Sequence, residues 1–346
     1  MASLRTLPDA VRRRLAPALR RARRLAPSAR EAAVILMYHR IASPPYDPWG
    51  LCVSPERFRE QVAALLEHRT PLALDDLVEA LESGAVPPRA VALTFDDGYA
   101  DNVDAAKPIL EAMRVPATMF LTTGLIGSGK QFWWDELATW VLGGRGAADF
   151  DFDVAGTRLR ARWPSQNALP HDLAAWRYTD ATSDERREAY LSLWRSLQRM
   201  EPGDRAAAMA ELRERLFEET ALGDRTDARP MTRAAARELA SGVTSVGAHG
   251  RSHVPLPSLP LLARSDEIIG GRADVALLTG KGAPTGFAYP HGEWDAETRA
   301  MVVQAGFRWA VTTEAAKIDP RRYDPFSLPR LQAGNWQAAD LLRALR

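Results

Sequence analysis

The chain has 346 residues, of which 46% are hydrophobic and 26% charged, and its formal net charge at pH 7 is +1. This composition is typical of a soluble globular protein with a sizeable core, and no apolar run reaches the roughly 18 residues that a membrane-spanning helix needs. The single cysteine, Cys52, excludes both an intrachain disulfide and a thiolate metal cluster.

Residues 1–30 form a strongly basic tail. They contain nine arginines against one acid, Asp9, which leaves the rest of the chain mildly acidic. Apolar residues recur in the tail at helical spacing, and three interpretations compete: a solvated or body-docked helix, a helix on an anionic membrane surface, and an organelle transit peptide. The tail lacks the apolar segment of a secretory signal. We therefore expect a cytoplasmic protein with peripheral contact at the inner face of the membrane through residues 1–30.

Short apolar runs alternate with helical patterns on both sides of a central block. Repeated β-α units of this kind favour parallel strands joined by right-handed crossovers, in a barrel or in an open sheet. The predicted strands are 33–38, 91–95, 117–121, 243–248, 285–289 and 307–312. The predicted helices begin at Ser54-Pro55 and cover 102–113, 232–240, 261–278 and 295–305.

The block at about 130–230 breaks this rhythm. Residues 132–142 look helical, 150–163 look like a hairpin with a turn at Ala155-Gly156, and a further helix is predicted at about 204–217. We interpret the block as a mostly helical insertion. The predicted organisation is therefore the tail 1–30, followed by one α/β domain at 31–346 that carries the insertion.

Reactive side chains follow several of the predicted strands. They lie in the segments Tyr38-His39, Asp96-Asp97-Gly98, His249 to His253 and Pro290-His291-Gly292. In parallel β/α folds the carboxyl ends of the strands meet at one face, which is where functional groups collect. The pattern predicts a single site at that face.

His249 and His253 have the spacing of a metal-binding pair. Imidazole suits zinc, and an open catalytic site needs a third ligand, which Asp97 can supply. Each motif has a plain alternative, because a lone histidine pair is more often a chance surface pair and Asp-Asp-Gly is a common turn. Their joint presence at strand ends favours the metal site.

Two further groups are candidates for proton transfer. Asp96 points away from its neighbour Asp97 and is expected to take a proton from a water whose pKa the metal lowers. His39 follows a buried strand, so it is either a core histidine bonded to the backbone or the group that gives a proton to the leaving amine.

Taken together, the motifs resemble the polysaccharide deacetylase family, also called the NodB-homology or carbohydrate esterase family four. The segments that carry the resemblance are MYHRI at 37–41, LTFDDG at 93–98, HGRSH at 249–253, FAYPHG at 287–292 and LPRL at 328–331. The first of these is typical of a subgroup with an N-terminal Tyr-His-Arg strand. The match covers roughly 33–125 and 230–335.

The resemblance implies a distorted (β/α) barrel of about seven parallel strands. It also implies a divalent metal, most commonly Zn²⁺, on Asp97, His249 and His253, with Asp96 as base. The backbone amide of His291 is expected to help form an oxyanion hole, which contributes about 3 kcal/mol in well-studied enzymes.

This sequence departs from the family at two places. Ala288 stands where many members carry an arginine that orients the base, and Arg330 and Arg40 are the candidates to replace it. The C-terminal Leu-x-His motif is absent, because no histidine follows His291. His39 is the expected substitute for that motif as the proton donor.

The remaining candidates concern the substrate. Aromatic rings stack on sugar faces, although most tryptophans are simply core. The expected substrate-binding residues are Tyr289, Pro290, Trp134, Trp49 and Arg330.

The predicted activity is metal-dependent hydrolysis of the N-acetyl group of an amino sugar in a glycan or lipid-linked glycan precursor, as in surface-polysaccharide biosynthesis. Two alternatives stay open: a deformylase or O-deacetylase that uses the same site, and an inactive glycan-binding barrel. Nucleic-acid binding is not expected, because the body is acidic and carries no recognition motif.

Overall fold

The computed structural model describes residues 32–166, 170–216 and 228–346. The predicted basic tail, residues 1–30, lies outside the described residues. Within these ranges, no helix combines the length and the apolar character needed to cross a lipid bilayer.

A parallel sheet forms the centre of the protein and confirms the predicted fold class. The strands of this sheet are β1 (Val34–Tyr38), β4 (Thr70–Leu72), β5 (Ala90–Phe95), β6 (Ala117–Leu121), β9 (Thr244–Ala248), β10 (Gly286–Ala288), β11 (Trp309–Val311) and β12 (Leu331–Gln332). Seven of them follow the order β11-β10-β9-β6-β5-β1-β12, and the short β4 pairs with β5 as well. Strands β1, β5 and β6 are apolar and fully buried, as expected for strands covered on both faces.

One chain segment links the two ends of this sheet. Leu328 donates from its N–H to the carbonyl of Ala310 in β11, and the N–H of Thr312 donates back to the carbonyl of Leu328, both at 2.9 Å. A few residues later, Ala333 donates to the carbonyl of Met37 in β1, also at 2.9 Å. The segment therefore closes the half-barrel of strands into a distorted barrel.

The helices agree with most of the predicted ones. In the described part of the chain they are α1 (Pro55–His68), α2 (Leu74–Ser83), α3 (Lys107–Met113), α4 (Trp133–Val141), α5 (Glu185–Gln198), α6 (Pro202–Leu216), α7 (Arg233–Leu239), α8 (Leu261–Ser265), α9 (Gly271–Thr279), α10 (Ala296–Gln304) and α11 (Ala338–Ala344). Ser54 caps α1 as predicted, with its hydroxyl accepting from the N–H of Arg57. Helices α2 and α11, strands β4 and β12, and the short strands β2 (Arg40–Ile41) and β3 (Cys52–Val53) were not predicted.

Two predicted helices are not regular. The region 102–113 begins with a π turn, Asn102–Ala106, and the region 261–278 contains another, Asp266–Gly270, between α8 and α9. Residues Gly270 and Gly271 allow the close packing here. A Cβ on Gly270 would meet the guanidinium of Arg251 at 2.4–2.6 Å, and one on Gly271 would meet the backbone of Gly250 at 3.2 Å. The irregular helix thus lets the loop that carries the two histidines approach closely.

Residues 133–216 build a second hydrophobic cluster beside the barrel. Helices α4, α5 and α6 pack with an antiparallel hairpin, β7 (Ala148–Val154) and β8 (Thr157–Trp163), whose turn at Ala155-Gly156 was predicted. Tyr46, from the loop between β2 and β3, joins this cluster. The added elements therefore cover the region above the carboxyl ends of the strands.

Candidate active site

Asp97, His249 and His253 come together at the carboxyl ends of β5 and β9. The Nε2 atoms of His253 and His249 lie 3.3 Å and 3.6 Å from Oδ1 of Asp97. One ligand atom from each residue lies within 4.8 Å of the other two, and all three residues are buried. This is the spacing of three ligands around one metal ion.

The hydrogen bonds leave these atoms available to a metal. Nδ1 of His249 lies 2.7 Å from the carbonyl oxygen of Ala288. Because a carbonyl only accepts, Nδ1 carries the proton and Nε2 faces Asp97 with its lone pair. Oδ1 of Asp97 is buried and has no hydrogen-bond partner among the described residues. Two nitrogens and one carboxylate oxygen fit a zinc-type site with an open position.

The backbone at the site is strained. Asp97 and His253 have φ angles of 73° and 53°, in the left-handed region that non-glycine residues rarely adopt. Such conformations cost about 1–3 kcal/mol each and persist only where the surroundings impose them. The chain after β6 supports this backbone, because the N–H of Thr122 donates to the carbonyl of Asp97 and the N–H of Thr123 donates to that of Gly250 in the histidine loop.

Asp96 is held by Arg330. Nη1 and Nη2 of Arg330 donate to the two carboxylate oxygens of Asp96, each at 2.7 Å. Burial by itself disfavours the charged form of Asp96, but the charges of Arg330 and then of His249 outweigh it and lower the pKa of Asp96 to about 2. Oδ2 of Asp96 lies 3.9 Å from Nε2 of His249. The carboxylate is therefore ionised and borders the metal position.

The structure distinguishes between Arg40 and Arg330, the two arginines predicted as alternatives for orienting Asp96. Arg40 pairs with Asp101 at 3.0 Å, whereas Arg330 contacts Asp96. Arg330 also donates to Oγ1 of Thr94 and to the carbonyl of Thr312, and its side chain is fully buried. Sequence analysis placed Arg330 among the substrate-binding residues. Its contacts instead favour the role of holding Asp96 in place, which the arginine missing at position 288 would otherwise fill.

His39 and His291 border the same cleft. Burial is the main cause that lowers the pKa of His39 to about 4, and the charge of Asp96 partly opposes it. Nδ1 of His39 has no hydrogen-bond partner in the described chain. His291 has a φ of 57°, and its ring centroid lies 4.3 Å from that of His253. Burial and then the charge of His249 lower the pKa of His291 to about 3. Both imidazoles are neutral near pH 7.

The cleft above the metal position has a volume of about 440 Å³ and an aromatic wall. Trp134 and Trp49 line it, as predicted for substrate-binding residues, and Trp194 and Tyr178 from the insertion complete the wall. The ring centroid of Trp49 lies 4.2 Å from that of Trp194 and 4.5 Å from that of Tyr178. An apolar wall beside polar groups is typical of a sugar-binding cleft.

The other two predicted substrate residues are less exposed to this cleft. Tyr289 borders it, but its side chain is buried and its hydroxyl donates to the carbonyl of Phe326 at 3.0 Å. Pro290 is buried next to it, at the start of the short 3₁₀ turn Pro290–Gly292. These two residues therefore shape the backbone around His291 rather than offering free polar groups.

Sequence analysis missed the residue that supports the histidine loop. Oε2 of Glu267 accepts from the N–H groups of Arg251 and Ser252, at 2.7 Å and 3.0 Å, and Oε1 accepts from the Ser252 hydroxyl at 2.6 Å. A Cβ on Gly250 would lie 2.8 Å from Oε2 of Glu267. No sequence periodicity marks Glu267, because it lies within an ordinary helical pattern.

A second missed group fixes Trp134. Its Nε1 donates to the hydroxyl of Tyr99 at 2.7 Å, and Tyr99 donates to Oδ2 of Asp135 at 2.7 Å. The ring of Trp134 then lies with its centroid 4.9 Å from that of His253. Nδ1 of His253 has no hydrogen-bond partner in the described ranges, so ring packing holds this histidine where a hydrogen bond holds His249.

Comparison with known proteins agrees with this site. The profile of the family described as polysaccharide deacetylase matches residues 83–145 and 220–310, which include Asp96, Asp97 and both histidines. The chain is similar to this family over the two parts that carry the candidate site residues. The profile match leaves out 146–219, the part that contains the hairpin and helices α5 and α6.

One curated polysaccharide deacetylase is similar over part of the chain. It is the poly-beta-1,6-N-acetyl-D-glucosamine N-deacetylase of Staphylococcus epidermidis, 36% identical over 77 residues. The match covers 22% of this chain and only 27% of that protein's length.

Solved structures of polysaccharide deacetylases share the fold over most of the chain. The deacetylase PplD of Streptococcus pyogenes, determined in complex with acetate, aligns with a TM-score of 0.56 at 17% identity, over 91% of this chain and 98% of its own. IcaB from Ammonifex degensii aligns with a TM-score of 0.54 at 16% identity, over 91% of this chain and 97% of its own. At these identities the likeness concerns the fold alone.

Proposed function

We propose that this protein is a metal-dependent hydrolase that removes the N-acetyl group from an amino sugar in a glycan. The observation that carries the proposal is the position of Oδ1 of Asp97, which is buried, has no hydrogen-bond partner among the described residues, and lies near the Nε2 atoms of His249 and His253. Asp96, Arg330 and the aromatic cleft surround that point. The match to the polysaccharide deacetylase family model supports the reaction class.

The metal site would be formed by Asp97, His249 and His253. A divalent cation held there would polarise the amide carbonyl and make water acidic enough to give up a proton near neutral pH. The nitrogen and carboxylate donors favour Zn²⁺. The protein contributes the tautomer of His249, through Ala288, and the strained backbone that points Asp97 at both histidines.

Asp96 is assigned the role of base. It would take the proton from the attacking water, and Arg330 keeps it ionised and fixed in orientation at all but strongly acidic pH. Its low pKa makes it a weak base in the metal-free protein, so proton transfer depends on the acidity of the water at the site.

His39 and His291 are assigned to the later part of the reaction. The backbone N–H of His291 would donate to the developing oxyanion. His39 is assigned to protonate the leaving amine. Because burial keeps His39 neutral in the resting protein, it must first receive a proton during the reaction, and the nearby Asp96 favours its charged form.

The substrate would be a glycan that carries N-acetylated sugars. The relative from S. epidermidis acts, by its name, on poly-beta-1,6-N-acetyl-D-glucosamine. The cleft has the volume of about one or two sugar rings, and Trp49, Trp134 and Trp194 offer apolar surface to them.

Metal content and acetate release test this function together. We would measure both, with oligomers of N-acetylglucosamine, for the wild type and for a His249→Ala, His253→Ala double variant. His68→Ala is the matched control, because His68 is exposed on α1. We expect about one zinc per chain and acetate release in the wild type and control, and neither in the double variant.

The alternative activities have distinct outcomes in the same samples. Release of formate, or release of acetate only from O-acetylated sugars, would redirect the assignment to a different acyl group. Metal binding without hydrolysis of any acylated glycan would favour an inactive glycan-binding barrel. Absence of metal from the wild type after zinc is added would contradict the mechanism.

The location of the protein stays a prediction. We propose that residues 1–30 hold it at an anionic membrane surface at the cytoplasmic face, since clustered arginines are attracted to anionic lipid. Sedimentation of the full chain and of a chain lacking residues 1–30 with anionic vesicles tests this. Equal binding by both chains would contradict it.

A further inference from the structure

A second pocket, here called the lateral pocket, lies on the other side of Trp134 from the metal cleft. It has a volume of about 430 Å³, close to that of the cleft, and Trp134 lines both. Its walls are α6 of the insertion, the segment around 130–136, and Arg251 and Ser252 beside the proposed metal ligand His253. The two cavities are therefore neighbours that share one aromatic wall.

Arg205 is a buried cation in this pocket. Its residue is only 5% exposed, and within the described ranges no carboxylate lies within ion-pair distance of it. Nη2 donates to the carbonyl of Ser252 at 2.8 Å, Nη1 has no hydrogen-bond partner in the same part of the chain, and the guanidinium lies 5.3 Å from the ring centre of Trp133. Arginine is rarely buried without a paired anion. Burial accordingly lowers the pKa of Arg205 to about 10.

The other charges at the lateral pocket are also mostly positive. Lys130 and Arg213 lie exposed at its rim, and Glu136 is the acidic side chain found among its described lining residues. Arg251 is already neutralised by Asp266 and Asp274. Arg205 is therefore the buried cation of this pocket whose Nη1 has no hydrogen-bond partner in the described chain, and an incoming anion could supply that partner.

The apolar lining of the lateral pocket resembles that of the metal cleft. Phe132, Trp133 and Trp140 contribute ring surface to it, and Met209 from α6 adds a further apolar side chain. Ring surface next to a guanidinium suits a sugar that carries a negative charge: the ring of the sugar packs on the aromatic side chains and the charged group pairs with the arginine.

We propose that the lateral pocket binds an oxyanion, a carboxylate or a phosphate, carried by the glycan substrate near the sugar that is deacylated. This inference rests on the proposed function and names the substrate class: an acidic glycan. Arg205 and the carbonyl of Ser252 connect the pocket to the loop of His253, so an occupied pocket would also hold that loop in place.

Direct binding is the first test. Tryptophan fluorescence of the zinc-loaded full chain would be titrated with glucuronate, with inorganic phosphate and with neutral glucose. We expect saturable binding of one or both anions and none of glucose, and the two anion titrations distinguish carboxylate from phosphate. Losing a charge-assisted hydrogen bond should weaken anion binding about tenfold or more in Arg205→Met.

Two further variants keep this result interpretable if Arg205→Met folds poorly. Lys130→Gln combined with Arg213→Gln removes two exposed rim cations and should weaken anion binding several-fold. Arg160→Gln is the matched control, because Arg160 is exposed on β8 and does not line the lateral pocket. Absence of saturable anion binding, or equal binding by all variants, would overturn the proposal.

Kinetics on paired substrates are the second test. N-acetylated oligosaccharides with and without a uronate or phosphate group would be compared. We expect a KM several-fold lower for the acidic substrate, and the Lys130, Arg213 double variant should remove that preference. Equal KM values would overturn the proposal. If neither substrate releases acetate, the proposed function fails, and the anion titration alone then decides whether the lateral pocket is an oxyanion site.

Discussion

The guanidinium of Arg330 and the carboxylate of Asp96 form two parallel hydrogen bonds, each 2.7 Å long, although 234 positions separate them in the sequence. Each charged group is buried, and each has the other as its main neutralising partner. A buried pair of this geometry fixes both the orientation and the protonation state of the carboxylate.

Replacing Arg330 by methionine should move the acid limb of activity to higher pH. Without the guanidinium, burial dominates at Asp96 and raises its pKa, so a higher pH is needed to ionise it. The pH profile of kcat/KM at saturating zinc measures this shift, and Arg330→Lys, which keeps the charge, should shift less. An acid limb that stays in place in Arg330→Met would show that the pair does not set the protonation of the base.

The metal-free protein should lose stability as pH rises above about 4. Burial, followed by the charges of Asp96 and Asp135, raises the pKa of Asp97 well above its usual value. The native state therefore retains a proton that the unfolded chain, with an aspartate pKa near 3.9, has already released. The stability contribution is complete below that pH and is lost as pH rises through the native pKa.

Urea unfolding at a series of pH values, with chelator and with excess zinc, tests the pH dependence of Asp97. Zinc should remove the decline, because it stabilises the ionised carboxylate and binds only the native state. Asp97→Asn should flatten the metal-free curve. An equally steep decline in Asp97→Asn would assign the effect to another group.

Glu267→Ala should weaken metal binding without removing a ligand. The change leaves the N–H groups of Arg251 and Ser252 without their acceptor, at a cost of about 1–3 kcal/mol for each buried group. Loss of such support lowers metal affinity by about 10- to 100-fold in other metal sites. Competition with a zinc chelator measures the affinity. Glu238→Gln, on the exposed face of α7, is the control and should bind zinc like the wild type.

Trp194→Ala should raise KM for oligosaccharides while metal content stays unchanged. Trp194 packs against Trp49 and lies 5.9 Å from His291, measured between ring centroids, but it contacts no proposed ligand. Aromatic contacts of this kind contribute about 0.5–1.5 kcal/mol, which corresponds to a KM roughly 2- to 12-fold higher. A fall in bound zinc would mean instead that Trp194 supports the histidine loop.

The central part of the site could be predicted because parallel strands impose it. Asp97 and His249 follow strands β5 and β9, which lie on either side of β6, so their side chains had to emerge at the same end of the sheet. The sequence shows both the buried strands and the polar residues that end them. These two features of the sequence are enough to predict that Asp97, His249 and His253 lie close together.

The supporting residues could not be predicted in the same way. The choice between Arg330 and Arg40 depended on which arginine reaches Asp96 across the barrel, a contact that no sequence period encodes. Glu267 acts through an irregular turn of its helix, and two glycines at positions 270 and 271 permit that turn. Trp194 lies in the cleft because the insertion folds back over the barrel. The helical pattern of the insertion predicts a helix there, but it does not indicate where that helix packs.

The segment that closes the barrel also delivers Arg330. Arg330 is synthesised 234 residues after Asp96, so the carboxylate of Asp96 gains this counter-charge only after the whole intervening stretch has been made. The metal ligands all precede residue 254, so a chain that stops short of residue 328 would contain every group of the metal site yet leave Asp96 buried without its partner. Completion of the proposed site therefore requires docking of the segment that contains Arg330, and the appearance of activity would report that this docking has occurred.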